Sequence, residues 1–275
     1  MALSIHPVSD ALGAEVRGVD LARPLDRELL AELRAAWLDH MVLVFHDQRL
    51  GMEEHLRFAR CFGELEEVKT NRKHPPGQPA VMFVANREVE GVPGVLSDGE
   101  MQFHSDQCYY ECPIMATTLY AMEVPREGGN TLFANAHLAY AGLPDELKAR
   151  LPGLVALNVY DYERNSTKRS APPRETAPRF AHPVVRTHPE TGRRAIYVNR
   201  LMTDHVVGLS APDSDALLEA LFAAIERDEH VFEHTWSRGD LLIWDNRCTQ
   251  HARRDFDPSQ PRVLRRIAVR GDRPF

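Results

Sequence analysis

The sequence has no strong excess of charge of either sign and no long apolar run. Its 33 lysines and arginines are slightly outnumbered by 40 aspartates and glutamates, which gives a formal net charge of −7. A mildly acidic chain binds nucleic acid or an anionic membrane surface poorly. No apolar run approaches the length that a membrane-spanning helix needs. We therefore expect neither a nucleic-acid partner nor a membrane partner.

Cysteine is scarce, and the first residues show neither the basic segment nor the apolar segment of a secretory signal. The four cysteines are Cys61, Cys108, Cys112 and Cys248. An even number would allow two disulfides, but reduced thiols are the better prediction for a chain without a visible export signal. The sequence therefore predicts a cytoplasmic protein.

The chain also lacks internal repeats and low-complexity segments. Its 275 residues, of which 43% are hydrophobic, are enough for one large domain with a well-buried core. We expect a single domain over residues 1–275. The polar, proline-rich segment Tyr162–Pro183 fits either a lid over a binding site or a surface insertion.

The apolar periodicity predicts a few helices among many short strands. Helical spacing occurs in Asp26–Met41, Glu53–Gly63 and Asp213–Arg227, and Asp26 is a plausible N-cap. Short apolar runs between turn residues predict strands at Val42–Phe45, Ala80–Ala85, Ala116–Val124, Asn130–Asn135, Arg194–Asn199, Asp240–Asn246 and Arg265–Gly271. This pattern favours a mainly β fold with peripheral helices, either a sandwich or a jelly roll, over a parallel sheet.

A candidate metal site begins in the stretch "EMQFHSDQCYYECP", Glu100–Pro113. If His104 and Asp106 lie on one strand, residues two apart point to the same face, and the imidazole and carboxylate converge. A pair of this kind arises often by chance. Cys108 has the same parity, but a thiol in the core is a better prediction for it than a metal ligand.

A third ligand follows the strand-like run "DLLIWDN", which brings His251 to the same region. Two histidines and one carboxylate are the facial triad of non-haem Fe(II) sites, which leaves coordination positions open. A structural zinc site would instead have four protein ligands. A zinc or manganese isomerase or hydrolase, or a non-catalytic binding jelly roll, are the alternatives.

Two arginines, Arg262 and Arg266, follow His251 by eleven and fifteen residues. Four residues apart on a strand, they share a face, and guanidinium groups bind carboxylates in bidentate fashion. This predicts two anionic small molecules beside the metal. Arg265 and Arg270, by contrast, are expected to be ordinary surface arginines.

Several long motifs resemble the taurine/2,4-dichlorophenoxyacetate dioxygenase family of Fe(II)/2-oxoglutarate enzymes. They are "GAEVRGVDLARPL", "FARCFGELE", "FHSDQCYYECP", "EVPREGGNTLFAN", "HPVVRTHPETGRRAIYVN", "WDNRCTQH" and "RGDRPF". The resemblance runs nearly end to end. It implies a double-stranded β-helix (a cupin-like jelly roll), a dimer or tetramer, and Fe(II), 2-oxoglutarate and O₂ as metal and co-substrates.

The resemblance also implies roles for individual residues. His104, Asp106 and His251 match the iron ligands, which the reaction requires. Thr131 and Arg262 match the residues that hold the distal carboxylate of 2-oxoglutarate.

For the primary substrate, Arg266 matches the residue that meets an acidic group, so a carboxylate, sulfonate or sulfate ester is expected. The implied reaction hydroxylates an aliphatic C–H bond, with succinate and CO₂ as products and cleavage of the substrate as a possible outcome. Because Asp106 is present, halogenation is not expected.

The sequence departs from the taurine-specific pattern at three places. Glu100 stands where taurine enzymes have an asparagine, Met202 replaces a bulky aromatic residue, and Val68–Pro76 lacks the histidine and tyrosine that contact taurine. We expect Glu100, Met202 and Asn71 to be substrate-binding residues, and taurine not to be the physiological substrate.

Overall fold

The structure is a computed structural model that describes residues 3–69, 73–96, 99–161 and 173–275. Its strands are β1 (Ser4–Pro7), β2 (Ala14–Arg17), β3 (Val42–Phe45), β4 (Leu65–Glu66), β5 (Val81–Ala85), β6 (Met101–His104), β7 (Ala116–Glu123), β8 (Thr131–Asn135), β9 (Val155–Val159), β10 (Arg179–Pro183), β11 (Val185–Thr187), β12 (Arg194–Ile196), β13 (Thr203–Val206), β14 (Val231–His234), β15 (Leu241–Asp245), β16 (Thr249–Arg253) and β17 (Val263–Val269).

Two larger sheets form the body of the fold. The eight-stranded sheet has the order β1-β2-β3-β15-β7-β17-β4, and β5 also pairs with β17. The four-stranded sheet has the order β14-β8-β16-β6. Pairing is antiparallel throughout these sheets, except between β2 and β3. The prediction of a mainly β fold is confirmed.

The three predicted helices are present, with bounds shifted by a few residues. The helices are α1 (Arg27–His40), α2 (Met52–Arg60), α3 (Ala136–Ala141), α4 (Asp145–Arg150) and α5 (Ala211–Ile225). Asp26 caps α1, since its carboxylate accepts a hydrogen bond from the backbone N–H of Leu29 at 2.8 Å. The two short helices α3 and α4 were not predicted, because six residues are too few to show helical periodicity. No helix in the described part of the chain is long and apolar enough to cross a bilayer.

The core lies between the two larger sheets and beneath the helices. Phe133 of the four-stranded sheet meets Trp244 of the eight-stranded sheet edge to face, with ring centroids 5.3 Å apart. On the outer face of the eight-stranded sheet, Trp37 of α1 and Phe58 of α2 pack in one buried cluster with Phe45. A cavity lies between the two sheets, and seven of the predicted site residues line it.

The structure describes only part of the segment Tyr162–Pro183, for which the sequence allowed either a lid or a surface insertion. Residues 162–172 lie outside the described residues, and the last five residues of the segment form β10. β10 pairs with β9 in a small three-stranded sheet with β13. At least this end of the segment is therefore part of the folded framework.

Two buried histidines make the stability of the fold depend on pH. Burial lowers the pKa of His137 to about 4 and that of His182 to about 4. Both are neutral in the folded state, whereas in the unfolded chain they take up a proton near pH 6.5. Folding stability is therefore full above that value and is lost as pH falls toward 4, by about 2–3 kcal/mol for each histidine.

We expect His137→Gln to show a shallower loss of unfolding free energy between pH 6.5 and pH 4 than the parent chain. Denaturant titrations at several pH values measure this slope. His6→Gln, at an exposed position, is the control and should leave the slope unchanged. Identical slopes for His137→Gln and the parent would contradict the prediction.

Candidate active site

The three predicted metal ligands come together at the open end of the two sheets. β6 and β16 are paired so that His104 lies directly opposite His251, and their ring centroids are 4.1 Å apart. Asp106 Oδ1 is 3.9 Å from His104 Nε2, and Asp106 Oδ2 is 4.0 Å from His251 Nε2. One ligand atom from each of the three residues lies within 4.8 Å of the others.

The prediction that His104 and Asp106 lie on one strand, with their side chains on the same face, is wrong. β6 ends at His104, and Asp106 lies in the following turn, not on the same face of a strand. Asn246 holds that turn: its Oδ1 accepts from the Asp106 backbone N–H at 2.8 Å, and its Nδ2 donates to the Asp106 carbonyl oxygen at 3.0 Å. Sequence reasoning missed this residue, although it stands in the quoted motif "WDN". The apolar run before His251 forms β15, and His251 lies on the next strand, β16.

The carboxylate of this site is held in its ionised form. Burial alone would raise the pKa of Asp106, but Arg266, His251 and His104 outweigh it and hold that pKa well below its usual range. Arg266 Nη2 donates to Asp106 Oδ2 at 2.8 Å, and the Thr117 hydroxyl donates to the same oxygen at 3.0 Å. One carboxylate oxygen is thus fixed by the protein.

The two imidazoles are held in the neutral form that a metal requires. Burial lowers the pKa of His104, and burial together with the neighbouring His104 lowers the pKa of His251 to about 3. His104 Nδ1 is 2.9 Å from the carbonyl oxygen of Gln102, so its hydrogen lies on Nδ1 and the lone pair on Nε2. Two neutral imidazoles and one ionised carboxylate fit a divalent metal ion with open coordination positions.

A cavity of about 440 Å³ extends from the triad between the two sheets. Seven of the predicted site residues line it, namely His104, Asp106, His251, Thr131, Arg262, Arg266 and Met202. Much of the remaining lining is apolar, namely Met82, Val84, Val95, Leu96, Met101, Leu119, Trp244 and Ala252. The cavity therefore offers cationic groups near the triad and an apolar wall elsewhere.

Of the candidate substrate residues Glu100 and Met202, only Met202 is among the described residues that line the cavity. The Glu100 side chain is 61% exposed and pairs with Arg254 at 3.7 Å, and it is not among the described residues that line the cavity. Asn71 lies outside the described residues. Met202 does line the cavity, and its sulfur is 3.4 Å from the buried thiol of Cys108. Cys108 is a core residue, and none of the four cysteines, all in the described chain, forms a disulfide.

Arg262, which lines the cavity, is buried, and its guanidinium group is only partly satisfied by hydrogen bonds within the protein. Its Nε and Nη2 donate to the carbonyl oxygen of Gly129 at 3.1 and 2.9 Å, while Nη1 is buried without a hydrogen-bond partner. Burial, with a contribution from Arg253, lowers the pKa of Arg262 to about 9. At Gly129, with φ of +67°, a Cβ would lie 2.9 Å from Arg262 Nε, so glycine is needed for this approach.

Arg265 is not the surface arginine that the sequence predicted. It is only 4% exposed, because it faces the opposite side of β17 from Arg266. Its guanidinium group donates to His55 Nδ1 at 3.1 Å and to the carbonyl oxygens of Leu50 and Gly51 at 2.9 and 2.8 Å. Arg270 is exposed as predicted and pairs with glutamates.

A second cluster of metal-type side chains, His188, Asp245 and Cys248, lies in the core. The Asp245 carboxylate accepts four hydrogen bonds. Three come from the backbone N–H, Nε and Nη2 of Arg247 at 2.9, 2.8 and 2.7 Å, and one comes from His188 Nε2 at 3.0 Å. Burial and Asp245 raise the pKa of the Cys248 thiol. These contacts satisfy the carboxylate within the protein. They also hold the end of β15, directly before Asn246, whose side chain bonds to Asp106.

Known proteins resemble the chain over nearly its full length. A sequence model of the taurine catabolism dioxygenase TauD, TfdA family matches residues 4–268. An alpha-ketoglutarate-dependent sulfate ester dioxygenase of Pseudomonas putida is 32% identical, covering 99% of this chain and 91% of the relative. An (S)-phenoxypropionate/alpha-ketoglutarate-dioxygenase of Sphingobium herbicidovorans is also 32% identical, covering 98% of this chain and 96% of the relative.

The fold agrees with a solved structure of the same kind. A taurine dioxygenase from Burkholderia xenovorans superposes with a TM-score of 0.85 at 32% identity, covering 100% of this chain and 93% of that one. This likeness confirms the predicted jelly roll. The chain therefore belongs to the TauD/TfdA family and is an alpha-ketoglutarate-dependent dioxygenase.

Proposed function

We propose that the chain binds Fe(II) through His104, Asp106 and His251 and hydroxylates an aliphatic C–H bond of a small anionic substrate. The observation that carries this proposal is the meeting, in one cavity, of two neutral imidazoles, one ionised carboxylate and two arginines. One oxygen atom of O₂ enters the substrate as a hydroxyl group, and the other enters succinate as 2-oxoglutarate loses CO₂. The bound metal would supply the O₂-activating chemistry.

The residues around the metal ligands position the two organic molecules. Arg262 and Thr131 hold the distal carboxylate of 2-oxoglutarate, because a guanidinium group and a hydroxyl satisfy a carboxylate that is buried. Trp236 supports this role, since its indole N–H donates to Thr131 Oγ1 at 2.9 Å. With that acceptor site occupied, the Thr131 hydroxyl is directed to donate to an oxygen in the cavity.

Arg266 has two proposed roles: it holds the metal ligand Asp106, and it binds the anionic group of the primary substrate. One nitrogen, Nη2, donates to Asp106 Oδ2, and a guanidinium group has further N–H donors that can bind an anion. Arg266 lines the cavity, so we propose that its remaining donors meet the acidic group of the substrate. An anion bound there would lie beside the metal ligands, so the neighbouring carbon of the substrate would lie close to the site where the metal would activate O₂.

The apolar lining favours a substrate with an alkyl or aryl body behind its anionic group. Met82, Leu96 and Leu119 are among the side chains of this wall. Relatives named for sulfate esters and phenoxypropionate suggest the same combination. If the hydroxylated carbon carries an ester or ether oxygen, the product breaks down to a carbonyl compound and releases the rest of the molecule.

We expect alkyl sulfate esters or aryloxyalkanoates to support succinate formation at least about tenfold more efficiently than taurine. Each buried CH₂ group contributes about 0.8 kcal/mol, and the ammonium group of taurine would have to be desolvated among apolar side chains. A panel of carboxylates, sulfonates, sulfate esters and amino acids, scored by kcat/KM for succinate release, measures this. Taurine at the efficiency of the best substrate in the panel would contradict the prediction.

A separate experiment tests the contact between Arg266 and the anionic group of the substrate. In Arg266→Gln, the KM for the primary substrate is measured while the affinity for 2-oxoglutarate is monitored.

The other expectations remain proposals. We propose a cytoplasmic homo-oligomer formed by one domain over residues 1–275, without a nucleic-acid or membrane partner. Light scattering on the purified chain measures the oligomeric state.

A further inference from the structure

A third arginine lines the cavity that no sequence motif pointed to. Arg253 is on β16, two residues after His251, and its side chain is buried, with 6% exposure. In the register of β16 with β8, Arg253 lies directly opposite Thr131, just as His251 lies opposite Phe133. Side chains directly opposite each other on paired strands are neighbours on one face. Arg253 and Thr131 therefore face the same end of the cavity, and both line it.

Arg253 also lies close to Arg262. Both guanidinium groups contact the ring of Phe256, with their Cζ atoms 5.6 and 6.0 Å from its centroid. The positive charge of Arg253 contributes to the lowered pKa of Arg262, because the two guanidinium groups repel each other. Among the described residues that line the cavity, Asp106 is the only acidic one, and Arg266 already donates to it. Two buried like charges at one end of a cavity are favoured when an anion lies between them.

The hydrogen-bond donors at this end of the cavity match a carboxylate. Arg262 Nη1 is buried without a hydrogen-bond partner. The Thr131 hydroxyl accepts from Trp236 and has its own proton to donate. Arg253 Nη2 donates to the backbone carbonyl oxygen of Gly99, which fixes the orientation of its planar group. A carboxylate has two oxygens and about four acceptor positions, so it can take up donors from all three side chains.

We propose that Arg253 is a third binding residue for the distal carboxylate of 2-oxoglutarate, acting beside Thr131 and Arg262. The proposal rests on the proposed binding of 2-oxoglutarate in this cavity, and it adds a residue that determines selectivity for a dicarboxylic 2-oxo acid. Arg253 contributes to binding only when the far end of the co-substrate carries a negative charge.

The test compares two 2-oxo acids of equal chain length on the Mn(II)-loaded protein. 2-Oxoglutarate has a distal carboxylate, whereas 2-oxovalerate ends in a methyl group. Isothermal titration calorimetry gives both dissociation constants without turnover. In Arg253→Met we expect the affinity for 2-oxoglutarate to fall about tenfold to a hundredfold, the value of a hydrogen bond to a charged group. The affinity for 2-oxovalerate should change by less than about twofold, because the variant removes only the contact to the carboxylate.

Matched variants complete the design. Arg254→Gln removes the same charge one residue away, from a side chain that is 52% exposed, and should leave both affinities unchanged. Arg253→Lys keeps the charge without the planar fork and should give an intermediate preference. If Arg253→Met does not fold, Arg253→Lys and Arg253→Gln are scored on the same ratio.

The outcomes separate this proposal from the proposed function. An equal loss of affinity for both acids, or no loss for either, in Arg253→Met would overturn the role of Arg253, while the parent's preference for 2-oxoglutarate would leave the proposed function standing. A parent protein that does not prefer 2-oxoglutarate over 2-oxovalerate would overturn both.

Discussion

Replacing Asp106 by alanine is expected to abolish succinate formation, with a loss of about a thousandfold or more. Asp106 is the only negatively charged ligand of the triad, and hydrogen bonds from Arg266 and Thr117 already hold one of its oxygens in place. Its removal leaves two neutral imidazoles beside the positive charge of Arg266, which repels a cation. Such a site would lose most of its metal affinity and with it the O₂-activating chemistry.

Anaerobic titration with Fe(II) and 2-oxoglutarate measures this directly, since a weak visible charge-transfer band is expected in the parent and not in Asp106→Ala. Asp240→Asn is a matched control. Asp240 is also a buried aspartate with two histidine neighbours, His46 at 2.7 Å and His234 at 3.1 Å, but it does not line the cavity. That variant should keep the band even if its stability falls. A band of parental strength in Asp106→Ala would rule out the assigned triad.

Arg262→Gln is expected to weaken 2-oxoglutarate binding by about a hundredfold to a thousandfold. The guanidinium group is buried, and breaking a buried charge pair costs about 3–5 kcal/mol. Glutamine cannot supply the charge, and the carboxylate of 2-oxoglutarate would be buried with fewer donors. The effect should appear in the dissociation constant of 2-oxoglutarate and much less in that of 2-oxovalerate.

Arg265→Gln controls for the loss of a buried arginine from the same segment, since Arg262 directly precedes β17 and Arg265 lies on it. Arg265 faces away from the cavity and donates to His55 and to two carbonyl oxygens. Its replacement should lower the free energy of unfolding, because it leaves buried acceptors unpaired, while 2-oxoglutarate affinity is retained. Equal losses of 2-oxoglutarate affinity in Arg262→Gln and Arg265→Gln would show that both act through stability alone.

The sequence was sufficient to predict which chemically distinctive side chains meet in one cavity. Metal ligands and carboxylate-binding arginines are restricted to few residue types, so His104, Asp106, His251 and Arg262 stand out from their spacing and motifs. The periodicity of strands also placed Arg262 and Arg266 together, and both line the cavity.

What the sequence could not show are positions decided by strand register and by the ends of elements. Arg253 and Arg265 are both arginines within arginine-rich stretches, and only the pairing of β16 with β8 and the facing of β17 separate a cavity residue from a core residue. Asp106 was assigned to a strand because the local pattern does not reveal where β6 ends. Asn246 is 140 residues away from the turn that it holds, and no local signal reports such a contact.

That long-range contact ties the candidate metal ligands to the folding of the whole chain. The two hydrogen bonds of Asn246 fix the Asp106 backbone, and the pairing of β6 with β16 fixes both histidines. Closing the chain between these segments costs conformational entropy, which the contacts of the fold must offset. The positions of His104, Asp106 and His251 are therefore set by contacts that span most of the chain, so a substitution that disturbs the folding of either segment is expected to disturb the candidate metal site as well.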